Sequence, residues 1–344
     1  MGGKTFGGDA RRRAESAGVS PKSARRWGVL LAGGDGMRLR ELTRFICGDE
    51  RPKQFCPLMG ERTLLEEARE RAERSIDASR LLYSVTRTHE SHYGRELADT
   101  GSHRIVQPSN RGTAPAVISA LLHVFDRDED AVVAFLPCDH YYSEERRFTE
   151  ALDAAFAVAE GQRERVVLLG AEPDGPEVEY GWIELGGLVG ETAASVYGVR
   201  GFQEKPPLPM AEHLFRSGSL WNTFVMVGHV AAFLEMTAQS VPGLMEVLRS
   251  GYRPAGGARE TRIADGVYER ITPTDFSRQV LTPGAKRLVA MGLGEVDWND
   301  LGDPERVIST LVSRGAELPE WARRWRKSAA RAVAAGGEAA AAVA

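Results

Sequence analysis

Between residues 27 and 312 the chain alternates short, wholly apolar runs with longer stretches whose apolar residues recur every three or four positions. The runs WGVLLA (Trp27–Ala32), RLLYSVT (Arg80–Thr86), AVVAFLP (Ala131–Pro137) and RVVLLGA (Arg165–Ala171) are strand-length and predict buried strands. Between them lie helical segments. TLLEEARERAERS opens with Thr63 and Glu66 at capping-box spacing, and APAVISALLHVFDR (Ala114–Arg127) and FTEALDAAFAVAE (Phe148–Glu160) carry helical periodicity. Strands that are apolar throughout, separated by helices, predict a mostly parallel sheet covered on both faces. After Gly170 the pattern loosens. YGWIEL, SVYGVRGFQEK and WNTFVMVG read as strands among Gly-rich turns, helical text resumes over Val230–Arg249, and RLVAMGL (Arg287–Leu293) reads as a late strand. The expected fold is α/β: a Rossmann-like, doubly wound, mostly parallel mixed sheet.

Composition narrows the picture. The 344 residues suffice for one large domain or two small ones, and a net charge of -4 argues against a general nucleic-acid binder. Basic residues gather at the two ends, so the middle is more acidic than the total. The expected organisation is a basic flexible arm over 1–26, one domain over 27–312, and a C-terminal helix with a low-complexity tail over 313–344. Cys47, Cys56 and Cys138 form no CxxC pair and are odd in number, which fits a reducing compartment rather than a disulfide framework or zinc site. With no signal-like or membrane-length apolar run, a soluble cytoplasmic protein without membrane or nucleic-acid partners is expected.

Ligands of such sheets bind beyond the carboxyl ends of the strands. The first strand runs into Gly33-Gly34-Asp35-Gly36, a loop able to offer backbone N–H groups to an anion. It is not a P-loop, since no Gly-Lys-Ser/Thr occurs. A dinucleotide fingerprint starting at Gly34 would need glycine where Leu39 stands, which disfavours an NAD-dependent oxidoreductase. Arg38 and, after Pro52, Lys53 supply two cations suited to a polyphosphate. FLPCDH puts Asp139 first after an apolar run, a position suited to Mg²⁺, with Cys138 and His140 read as packed residues. A second acid, Asp300, lies in the turn of VDWNDLG, where Asp297 is the weaker candidate; the two aspartates form a metal site only if the chain brings them together.

In this order, LAGGDGMRLR, RPKQFCPL, QPSNRGTAPA, LPCDH, EYGWIE, FQEKP, WNTFVMVG and WNDLG resemble the motifs of sugar-1-phosphate nucleotidylyltransferases, mannose-1-phosphate guanylyltransferases above all. The resemblance covers roughly Trp27 to Val312. It implies that Ala32, Gly33, Gly34, Gly36, Arg38 and Lys53 cradle a nucleoside triphosphate, and that Gln107, Gly112 and Thr113 lie at its base. Arg38, Lys53 and Asp139 are then catalytic, and Asp139 and Asp300 hold Mg²⁺. Tyr180, Gly181, Glu204, Lys205 and Asn222 fall where the family binds the sugar phosphate.

The implied reaction joins an NTP, GTP favoured, to a sugar 1-phosphate, mannose 1-phosphate favoured, giving a nucleotide sugar such as GDP-mannose and pyrophosphate. Four positions depart from the pattern. Met37 replaces the usual threonine, Gln107 and Gly112 stand where GTP users show Glu and Asn, and Phe224 replaces a glycine. A uridylyl- or thymidylyltransferase acting on glucose 1-phosphate, and a non-catalytic nucleotide-sugar sensor, remain alternatives. With no hexapeptide repeats or isomerase-like text following, the expectation is a transferase alone, with a homodimer left open.

Overall fold

The structure, a computed structural model, describes residues 24–328 apart from 99, 192–193, 254–257 and 316. The basic arm up to residue 23 and the Ala-rich tail from residue 329 lie outside the described residues. The strands are β1 (Arg26–Leu31), β2 (Leu81–Thr86), β3 (His103–Gln107), β4 (Val132–Pro137), β5 (Tyr141–Tyr142) and β6 (Val166–Ala171). They continue as β7 (Gly181–Glu191), β8 (Ser195–Glu204), β9 (Leu220–His229), β10 (Glu260–Arg262), β11 (Leu288–Gly292) and β12 (Trp298–Asn299). The helices are α1 (Arg40–Cys47), α2 (Leu64–Glu73), α3 (Glu90–Glu96), α4 (Thr113–Phe125) and α5 (Glu145–Gly161). After them come α6 (Leu208–Arg216), α7 (Val230–Ser240), α8 (Pro242–Gly251), α9 (Asp265–Tyr268) and α10 (Pro304–Ser313).

Ten strands form one sheet in the order β10-β3-β2-β1-β4-β9-β6-β11-β8-β7. From β10 to β4 all neighbours are parallel, as the apolar runs predict. β9 then enters antiparallel between β4 and β6, and β8 and β7 close the far edge antiparallel. Successive residues face opposite sides: Val29, Leu82, Val133 and Phe135 pack under α4, α7 and α8, whereas Leu30, Tyr83, Ala134 and Leu136 pack under α2 and α5. Two apolar layers therefore flank one sheet. The Thr63 capping box is present with both bonds, Thr63 Oγ1 accepting from the Glu66 N–H and Glu66 accepting from the Thr63 N–H.

A smaller third cluster joins Leu39 and Leu42 to Cys56, Leu58, Leu301, Val307 and Leu311, with Trp321 and Trp325 packed against it. It fastens the chain after the first loop to the turn that carries Asp300. Trp325 meets Phe45 of α1 edge-on at 5.2 Å, so the helical stretch 320–328 leans on that same corner.

Where β9 meets β6 the register slips. Leu169 pairs with Val225 but Gly170 with Asn222, so Thr223 and Phe224 form a bulge. Phe224 adopts φ 61°, a left-handed conformation that L side chains pay for and glycine does not, which explains why glycine is usual there in the resembled family. The bulge is held by Thr223 Oγ1 donating to the Leu169 carbonyl at 2.6 Å and by the Phe224 N–H donating to Asn222 Oδ1 at 3.2 Å. Phe224→Gly and Phe224→Ala both lose the ring, but only alanine keeps the backbone cost. Denaturant titration should find the glycine variant more stable by about 1 kcal/mol; an alanine variant at least as stable would show that the conformation carries no strain.

Candidate active site

Because β1 to β4 are parallel, their carboxyl ends meet on one edge of the sheet, and a cleft of about 410 Å³ opens there. Gly33 and Gly34 follow β1, Ser84 and Thr86 end β2, Gln107 ends β3, and Asp139 follows β4; all line the cleft. The antiparallel half supplies the opposite wall with Tyr180, Gly181, Glu204, Lys205, Asn222 and Phe224. The two aspartates are brought together by a small ladder. β5, just after Asp139, pairs antiparallel with β12, just before Asp300, matching Tyr142 with Trp298 and Tyr141 with Asn299. Both aspartates line the cleft.

Lys53 lies between them. Its side chain is only 11% exposed, and its ammonium donates to the Asp300 carbonyl and, at 3.3 Å, to the Leu301 carbonyl. It also lies 3.3 Å from Asp139 Oδ2. Gly36 rests against the backbone of Pro52 and Lys53. The neighbouring Gln54 donates from Nε2 to the carbonyls of Ala32 (3.1 Å) and Gly34 (2.8 Å), shaping the glycine loop from behind. Ala32 itself is fully buried, with its N–H on the Ser84 carbonyl, and contributes backbone to the loop rather than surface to the cleft. Arg38 stands at the rim, its side chain 53% exposed, 3.5 Å from Glu179 and 3.9 Å from Asp300 Oδ2. Thus Ala32, Gly36, Arg38 and Lys53 support or border the cleft, and the other expected site residues line it.

Asp300 is held by a group that sequence reasoning missed. Arg306 of α10 donates to Asp300 Oδ1 at 3.0 Å, lies 2.8 Å from Glu177, and stacks 4.5 Å from the centre of the Tyr180 ring. Burial pushes the Asp300 carboxyl up, but the Lys53 ammonium and the Arg306 guanidinium outweigh it and hold the group below the ordinary carboxylate range. His140 is pushed down by burial against the opposing pull of Asp139, so a neutral imidazole faces Trp298, whose indole N–H lies 3.3 Å from His140 Nδ1. Asp139 keeps Oδ1 at 3.7 Å from that imidazole, and Asp300 keeps Oδ2 directed towards Arg38. Both carboxylates are hard oxygen donors lining the same cleft, the ligand type a divalent cation takes. Among the described residues no group of three His, Cys, Asp or Glu side chains could hold a metal alone. A pair of carboxylates completed by substrate phosphates is the arrangement such a donor set allows.

At the β3 end Gln107 is buried, its Oε1 accepting from the Tyr268 hydroxyl at 2.6 Å and its Nε2 donating to Ser84 Oγ at 3.1 Å. Gly112 has φ 89°, and a Cβ there would lie 2.4 Å from the Thr274 carbonyl oxygen. Only glycine fits, and Thr113 follows as the first residue of α4, its Oγ1 accepting from the Phe276 N–H. On the opposite wall a Cβ on Gly181 would strike Glu204 Oε2 at 2.7 Å, so this glycine lets Glu204 and Asn222 approach. Burial, with Asp275 nearby, raises the Glu204 carboxyl to about 7 against the pull of Lys205. Lys205, in a left-handed conformation at φ 50°, reaches Glu179 at 3.2 Å. Glu179, which opens EYGWIE without a role assigned to it, and Asp275, which no motif announced, are further cleft residues in loops without apolar periodicity.

Comparison with known proteins agrees with this architecture. The chain is 29% identical over 281 residues to the xanthan biosynthesis protein XanB of Xanthomonas campestris pv. campestris, covering 80% of this chain and 57% of that protein. It is 27% identical over 279 residues to a mannose-1-phosphate guanylyltransferase of Escherichia coli, again 80% of this chain and 57% of the relative. The chain thus spans little more than half the length of these relatives. Among solved structures it superposes on a mannose-1-phosphate geranyltransferase from Thermus thermophilus with a TM-score of 0.69 and 32% identity, covering 83% of this chain and 79% of that one. No helix among the described residues is long and apolar enough to cross a membrane. The nucleotidyl transferase family, whose members generally depend on a divalent metal, matches residues 27–312. The chain belongs to that family.

Proposed function

We propose that the protein transfers a guanylyl group from GTP to mannose 1-phosphate, releasing pyrophosphate and forming GDP-mannose. The observation that carries this reading is the meeting of Asp139, Asp300 and Lys53 at the strand ends, in a cleft open on one side to the glycine loop and on the other to Glu204, Lys205 and Asn222. The relatives named mannose-1-phosphate guanylyltransferase support the choice of substrates.

An oxygen of the sugar phosphate attacks the α-phosphorus in line with the departing pyrophosphate. That oxygen is already anionic, so no general base is needed, and catalysis rests on positioning and charge. Mg²⁺, held by Asp139 and Asp300, supplies positive charge to the phosphates when bound. Lys53 holds the Asp300 turn by its carbonyls and helps to keep the Asp300 carboxyl below its ordinary range, while Arg38 and Lys205 at the rim offer charge to the two phosphate groups. The amide of Gln107, its oxygen engaged by Tyr268, presents an N–H to a base carbonyl. Guanine, uracil and thymine all carry one, so the base needs a direct test.

Pyrophosphate release should be measured with GTP, UTP, dTTP, CTP and ATP, each with mannose and glucose 1-phosphates. Turnover with GTP and mannose 1-phosphate is expected; turnover with UTP or dTTP alone would contradict the guanylyl reading. Preorganised charge contacts are worth about 3–4 kcal/mol on deletion, so Asp139→Asn or Lys53→Ala should each lower kcat by at least ~100-fold. Near wild-type turnover in either variant would refute its role.

Glu204 generates a pH dependence of known sign. As an ionised acceptor for sugar hydroxyls it works above its raised value of about 7 and is lost as pH falls below it. The KM for mannose 1-phosphate should therefore rise from pH 8 to pH 6 in the wild type and rise less in Glu204→Gln. Parallel profiles for the two proteins would remove Glu204 from sugar binding.

A further inference from the structure

Two of the three cysteines lie against each other beside the site. Cys47, the last residue of α1, and Cys56, which follows the turn Lys53–Phe55, hold their sulfurs 3.2 Å apart. Their covalent union needs a closure to about 2.05 Å, a shift of roughly one ångström. Cys47 is partly exposed and Cys56 is buried, so a small oxidant reaches one sulfur while the other waits beneath it. Arg51, bound to Asp49 at 2.7 and 2.8 Å, brings its guanidinium to this corner and also donates to the Phe55 carbonyl at 3.4 Å. The third thiol, Cys138, is buried and donates to the Leu31 carbonyl at 3.0 Å, away from this pair.

We propose that Cys47 and Cys56 form a covalent modification site, at which hydrogen peroxide converts the two thiols into an intramolecular disulfide that slows the enzyme. The surroundings favour the order of attack. The hydrogen bond from Cys56 lowers the Cys47 thiol to about 7, burial opposing and Arg51 assisting, while Cys56 is pushed up by that same bond and by burial. Cys47 thiolate attacks one peroxide oxygen: an S–O bond forms, the O–O bond breaks, and the leaving hydroxide takes up a proton as water. Cys56 sulfur then attacks the sulfenic sulfur of Cys47: the S–S bond forms, the S–O bond breaks, and the leaving hydroxide takes the Cys56 proton as a second water. Two thiols and one peroxide thus give one disulfide and two waters, the sulfurs losing the two electrons that the peroxide gains.

The link would act through Lys53. The Cys56 N–H donates to the Lys53 carbonyl at 3.0 Å, so a sulfur drawn towards α1 pulls on the turn whose ammonium joins Asp139 to the Asp300 turn. Displacements of an ångström in such a site are costly to rate. This effect on rate rests on the proposed nucleotidyl transfer, whereas formation of the bond does not.

The test uses the full chain, treated with hydrogen peroxide, alkylated and mapped by mass spectrometry. The expected result is a Cys47–Cys56 cross-linked peptide, an intact mass lower by about 2 Da, and Cys138 still free. Turnover should fall at least ~10-fold and return with dithiothreitol, and Cys47→Ser should match the untreated wild type before and after peroxide. Absence of the cross-link, its appearance between subunits, or accumulation of sulfinic acid on Cys47 would overturn the site. Full turnover in the cross-linked protein would overturn the coupling to Lys53. The peptide map decides the first point whether or not the protein transfers nucleotide.

Discussion

An ammonium taken out of water needs acceptors, and the three that Lys53 finds come from two distant stretches of chain: the carboxylate of Asp139 and the carbonyls of Asp300 and Leu301. This one buried cation fixes the end of β4 and the turn after β12 in the same place. Its neighbours extend the constraint. Gln54 ties the glycine loop from behind, Gly36 packs on the Lys53 backbone, and Arg306 holds the far side of Asp300. An acidic cleft is thereby assembled around positive charge, the arrangement that the proposed transfer between phosphates needs.

Backbone strain is concentrated along the same rim. Among the described residues, the positive-φ residues other than glycine are Lys205, Phe224 and Leu301, and each lines the cleft or adjoins Asp300. Left-handed conformations persist when the surroundings over-determine them, and here the β7–β8 pairing, the β9 bulge and the β5–β12 ladder do so. The cost is borne at positions in or beside the cleft, while the parallel half of the sheet is regular.

Much of this was legible in the chain. Runs apolar at every position gave away β1, β2, β4 and β6 because strands buried on both faces need no polar alternation. The first acid after β4 and the glycine loop after β1 were legible for the related reason that parallel strands deliver their carboxyl ends to one edge. The remainder depended on distant pairing. Nothing local places β9 antiparallel between β4 and β6, nor pairs β5 with β12, because each depends on partners far away in sequence. Arg306, Asp275 and Tyr268 escaped notice because an arginine on a helix, an aspartate in a loop and a tyrosine ending a short helix are ordinary until their partners are seen. Lys53 was legible as a cation at the site; its burial and its carbonyl partners were not.

The most direct measurement is a crystal structure of the protein with a non-reacting GTP analogue, mannose 1-phosphate and Mg²⁺. The account predicts the metal on the Asp139 and Asp300 carboxylates, the triphosphate along Gly33–Gly36 within reach of Arg38 and Lys53, and the sugar between Glu204 and Asn222. A nucleotide bound outside the cleft, or a metal that touches neither aspartate, would contradict it.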